Sequence, residues 1–80
     1  MNIRREQDSF EDYLDSVGME YDSVSGLTQV FMRQNDYDVF FTDRGIEVES
    51  YAPMMGNVEF INADQLIDWF EEQQRYGMGL

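Results

Sequence analysis

The chain has no cysteine, no histidine and no lysine, and only one proline. Without cysteine there is no disulfide framework and no thiolate metal site. Without histidine, cysteine or lysine the usual general bases and activated nucleophiles are missing. No run approaches the roughly 20 apolar residues of a membrane span. The opening MNIRREQDSF has arginines but no apolar stretch behind them, so no secretory signal is expected. These absences predict a soluble, cytoplasmic protein without cofactor, metal site or membrane partner.

Seventeen acids stand against five arginines in 80 residues, a formal net charge of −12. All of the acids lie between residues 6 and 22 or between 36 and 72, where the one base is Arg44. The chain is nevertheless 42% hydrophobic and 15% aromatic, too apolar for a disordered acidic tail. It reads as one domain over residues 1–80, with residues 1–7 and 77–80 as loose termini. A chain of this size buries only about 60% of its unfolded surface. Its stability margin is about 3–5 kcal/mol, held against the repulsion of its own charges.

Periodicity places two helices around a run of strands. Asp8 or Ser9 begins the first helix, Asp8 and Glu11 having the spacing of a capping box. Phe10, Tyr13, Leu14 and Val17 share one face, and Gly18 stops the helix. Residues 19–26 read as a loop. Strands follow at 27–33, at 37–42, at 46–51 after the Asp43-Arg44-Gly45 turn, and at 58–61. Gln34-Asn35-Asp36 and the loop 52–56 make the other connections. Asn62 caps the last helix with Gln65 at the capping-box position, and Ala63, Leu66, Ile67 and Phe70 form its apolar face beside Trp69. Short connections imply an antiparallel meander. The expected fold is α+β, a four-stranded antiparallel meander in the order αββββα, with both helices on one face of the sheet.

The acids fall in patterns on that scaffold. Asp8, Glu11, Asp12 and Asp15 follow i, i+3, i+4, i+7 spacing, a stripe expected opposite the apolar face. Asp64, Asp68, Glu71 and Glu72 repeat it on the last helix. Such like-charge neighbours destabilise a helix by a few tenths of a kcal/mol per pair, and no lysine is interleaved. On the strands Asp38, Glu47, Glu49 and Glu59 alternate outward with Phe40 and Tyr51, mixing carboxylates with the aromatics favoured at interfaces. One reading is a solvated surface that keeps the domain soluble. Adaptation to high salt is another, which the methionines, large aromatics and asparagines fit poorly. A third is an anionic surface that imitates nucleic acid. Helical carboxylates about 5–6 Å apart at Cβ match the scale of phosphate spacing on a duplex strand.

Other constellations stay below this one. Carboxylate pairs can serve glycoside hydrolysis, but with seventeen acids some pair lies at any chosen distance. Asp36-Tyr37-Asp38 lacks the glycine and terminal glutamate of an EF-hand loop. Met32 reads as core filler, and Met54 and Met55 as loop packing or a partner contact. Five scattered arginines cannot form the patch that direct nucleic-acid binding needs.

The segment Phe60-Ile61-Asn62-Ala63-Asp64-Gln65-Leu66-Ile67-Asp68-Trp69-Phe70 resembles the strand-to-helix segment of a small type I anti-CRISPR family. The whole profile, small, acidic and cysteine-free, resembles phage-encoded inhibitors that include DNA mimics. That resemblance carries over no individual residue role. It implies a CRISPR effector or other host nuclease as partner, bound through a basic nucleic-acid-binding surface. The alternative is a non-enzymatic regulatory module docking through Phe40, Tyr51 and the Met54-Met55 loop.

Overall fold

A computed structural model describes residues 2–32, 36–50 and 57–78, with side chains to residue 74. The element order is α1 (Ile3–Ser16), β1 (Glu20–Val24), β2 (Leu27–Phe31), β3 (Asp36–Thr42), β4 (Gly45–Ser50), β5 (Val58–Phe60) and α2 (Ala63–Met78). The strands form one antiparallel sheet in sequential order β1-β2-β3-β4-β5. The α+β meander stands as expected, with five strands instead of four.

The extra strand is β1, in the segment read as a loop. Four of its five residues are exposed, so no buried alternation marks it in the sequence. It pairs Tyr21 with Val30 and Asp22 with Gln29 across the Ser25-Gly26 turn. Gly26 has φ +81°, the left-handed value that a type II turn requires at its third position.

The first helix starts earlier than the Asp8–Glu11 spacing indicates. Asn2 is its N-cap, accepting a 3.1 Å bond from Arg5 N–H, so residues 3–7 are helical instead of a loose end. The buried face runs through Gln7, Phe10 and Leu14, and the polar Gln7 hides its first turns from an apolar-periodicity reading. At the other end Met19 N–H reaches Leu14 O at 2.9 Å and Gly18 N–H reaches Asp15 O at 3.2 Å. This is a Schellman ending, with Gly18 at φ +71°. Val17, assigned to the apolar face, is the C-cap and 45% exposed.

The second helix begins as its sequence indicates. Gln65 N–H donates to Asn62 Oδ1 at 3.0 Å, while Gln65 Oε1 accepts from Ile61 N–H at 3.1 Å. A backbone donor at its start, Ala63 N–H, also reaches Glu6 Oε1 at 3.3 Å, an anion at the positive end of the helix. The helix runs through Gly77 to Met78, beyond the expected end.

Both helices cover one face of the sheet. Phe10 and Leu14 of α1 and Leu66 and Phe70 of α2 are fully buried with Val30, Val39, Ile46 and Val48 of the strands. Phe10 lies between Phe41 and Phe70, with ring centroids 6.0 and 5.1 Å away. Tyr37 meets Trp69 and Phe70 edge-on at 5.6 and 5.4 Å, the geometry that aromatic quadrupoles favour. Tyr51, Met54, Met55 and the Gln34-Asn35 part of the expected turn lie outside the described residues. Asp36 is the first residue of β3.

Candidate functional site

With both helices on the inner face, the outer face of the sheet has no covering element among the described residues. Strand alternation assigns Glu20 and Asp22 (β1), Asp36 and Asp38 (β3), Glu47 and Glu49 (β4) and Glu59 (β5) to it. Their chain neighbours Tyr37, Val39, Phe41, Ile46 and Val48 are buried on the other side. The register places Asp38 opposite Glu49 and Glu47 opposite Glu59. Like charges facing each other directly across strands are destabilising. Arg4 and Arg5 lie on α1, Arg44 in the β3–β4 turn and Arg75 on α2.

Amides relieve part of this repulsion. Gln29 Nε2 donates to Asp38 Oδ1 at 3.2 Å, and Asn57 Nδ2 donates to Glu47 Oε1 at 3.1 Å. Both donors are neutral amides. An apolar row crosses the same face, Val24 opposite Leu27 and Leu27 opposite Phe40. Phe31 adds a 38% exposed ring beside Glu20 and Asp36, its partners in β1 and β3. Phe40 therefore shares a face with Asp38, Glu47, Glu49 and Glu59 as expected. Glu20 and Asp22 join them, missed because β1 was read as a loop. So do Leu27 and Phe31 of the expected strand β2, whose inward positions include the polar Thr28 and so hide which side faces the core.

The helical stripes divide. Asp8, Asp12 and Asp15 of α1 and Asp64, Asp68, Glu71 and Glu72 of α2 are exposed. Glu11 is not part of a solvent-facing stripe. It is half-buried, and its Oε2 accepts from Thr28 Oγ1 at 2.6 Å and from Gln7 Nε2 at 3.3 Å. Helical spacing groups Glu11 with Asp8 and Asp15, whereas the neighbouring β1–β2 hairpin turns it into a structural acceptor. Asp15 is also engaged, accepting from the Tyr21 hydroxyl at 3.0 Å. That bond to a carboxylate holds the Tyr21 phenol above its ordinary pKa.

Among the described residues no three carboxylates gather closely enough to hold a metal ion. No helix among the described residues is long and apolar enough to cross a membrane. Comparison with family models, with curated proteins and with solved structures gave no match.

Proposed function

We propose that this protein is a non-enzymatic inhibitor that binds a basic nucleic-acid-binding surface of another protein, offering carboxylates where that surface takes phosphates. The class of partner that fits is a CRISPR effector or another host nuclease, which holds nucleic acid in basic channels. One observation carries the reading. Acids are set opposite acids on a sheet face that no described element covers, with Asp38, Glu47 and Glu49 half-buried and Glu59 exposed, and like charges facing across strands are destabilising. Strands about 4.8 Å apart and side chains repeating about every 6.8 Å along a strand make a grid of negative charge. Its spacing is on the scale of duplex phosphates. The exposed acids of α1 and α2 extend the same potential around the molecule and raise the association rate with a cationic partner.

Titration against a purified effector at about 50 and about 300 mM salt tests the reading, because contacts that replace phosphates weaken steeply over that range. A second reading draws on the apolar row Val24, Leu27 and Phe40: a regulatory module that docks through apolar contact, its acids serving solubility. Affinity that is unchanged across the salt range favours that module and contradicts mimicry.

A further inference from the structure

The sheet ends on one side in β1, whose outer edge pairs with no other strand among the described residues. β1 is the outermost strand beside β2, and Val24 at its end is 61% accessible. The two-residue turn closes on the Val24–Leu27 pair, so antiparallel alternation makes Val24–Leu27, Asp22–Gln29 and Glu20–Phe31 the hydrogen-bonded pairs. The main-chain N–H and C=O groups of Tyr21 and Ser23 then point away from β2, toward the open edge. The opposite edge, β5, has only three residues.

Beside the β1 edge lies a shallow depression of about 400 Å³ lined by Asp15, Met19, Glu20, Tyr21, Asp22 and Phe31. Its lining combines three carboxylate residues with two aromatic ones and a methionine. This is the chemistry that receives a guanidinium, which is flat, cationic, able to stack on a ring and able to bond a carboxylate with two N–H groups at once. A second copy of this chain fits badly, because its net charge of −12 and its own Glu20 and Asp22 would meet acids with acids.

We propose that the β1 edge takes an extended, arginine-bearing segment of the partner as a sixth strand. Its main chain pairs with Tyr21 and Ser23, and its arginines lie against Asp15, Glu20 and Asp22. Main-chain pairing supplies affinity and alternate side chains supply selectivity, as in other strand additions. This inference rests on the reading of the partner as basic and adds how that partner is gripped.

The test uses the full chain and a capped peptide of alternating arginine and valine, followed by amide shifts in a two-dimensional NMR titration. Two further peptides carry N-methyl groups on one or the other set of alternate amides, which keeps their charge and blocks pairing. The S23P variant removes one edge N–H that lies outside the β1–β2 ladder, a position where proline is tolerated. The expected result is shifts concentrated at Asp15 and Met19–Ser23. Affinity should fall at least about tenfold for one methylated isomer and for S23P.

Equal binding of all three peptides, shifts spread equally along Asp64–Glu72, no binding, or a peptide-free dimer in sedimentation would each overturn the proposal. If S23P does not fold, the methylated peptides alone decide. Peptide docking at the edge without displacement of DNA from an effector would leave strand addition standing and remove mimicry.

Discussion

Thr28 Oγ1 donates a 2.6 Å hydrogen bond to Glu11 Oε2, joining the first helix to the second strand through a fully buried hydroxyl. Gln7 completes the arrangement. Its Nε2 donates to Val24 O at 2.8 Å and to Thr28 Oγ1 at 3.1 Å, and its Oε1 accepts from Gly26 N–H at 3.0 Å. One glutamine thus holds the β1–β2 turn from below, and the hairpin that forms the open edge depends on it.

Replacing Thr28 by Val keeps the shape and leaves the Glu11 carboxylate and the Gln7 amide short of a partner. A loss of about 1–3 kcal/mol is expected in chemical denaturation, since an unmatched buried polar group bears its full desolvation cost. Asp12→Asn, on the exposed side of the same helix, should stay within about 0.5 kcal/mol of the parent. Equal effects at the two positions would contradict the separation of Glu11 from the exposed acids.

Two glycines with positive φ should respond differently to alanine. A Cβ at Gly45, where φ is +149°, would lie 2.9 Å from the Phe60 carbonyl oxygen of the neighbouring strand. At Gly18, φ +71°, it would meet nothing within 4 Å. Gly18→Ala should cost about 1–2 kcal/mol from backbone strain alone. Gly45→Ala should cost more and weaken the β4–β5 pairing, measured by denaturation and by amide exchange at residues 58–60.

The two helices are joined by Gln74 Nε2 donating to the Tyr13 hydroxyl at 2.7 Å. Burial, reinforced by the negative charge of Glu71, holds the Tyr13 phenol above its ordinary pKa of 10.0, against the opposing effect of the Gln74 bond. A raised folded pKa means that the folded state keeps the proton longer than the unfolded state. The stability it contributes is complete below about pH 10 and is lost as pH rises from there through the folded value. Tyr21 adds in the same direction. Thermal unfolding should therefore fall above about pH 10, and Tyr13→Phe should flatten that decline while costing about 1 kcal/mol at neutral pH for the lost bond.

Where alternation or a cap was plain, the fold was legible. Asn62 and Gln65 marked α2, and the Tyr37, Val39, Phe41 series with Ile46 and Val48 marked β3 and β4 and sent Asp38, Phe40, Glu47 and Glu49 outward. β1 was not legible, because a mostly exposed edge strand has no inside to alternate with. The start of α1 was hidden by Gln7, a polar residue whose burial depends on a turn some twenty positions away along the chain. Glu11 joined an acidic stripe on paper because helical spacing shows only the helix; the hydroxyl that claims it comes from β2. The Asp38, Phe40, Glu47, Glu49 and Glu59 part of the outer face followed from pattern; Glu20 and Asp22 waited on β1, and Leu27 and Phe31 on knowing that the polar Thr28 of β2 points into the core.

The central claim is that the open sheet face acts as a substitute for nucleic acid. The most direct measurement is displacement of a labelled DNA duplex from a purified effector by the parent chain and two neutralised variants. One carries D38N, E47Q, E49Q and E59Q on the sheet, and the other D64N, D68N, E71Q and E72Q on α2, each first checked for folding by circular dichroism. The account predicts displacement by the parent, at least about tenfold weaker displacement by the sheet variant, and a smaller loss for the α2 variant. Undiminished displacement by the folded sheet variant, or none by the parent at low salt, would contradict it.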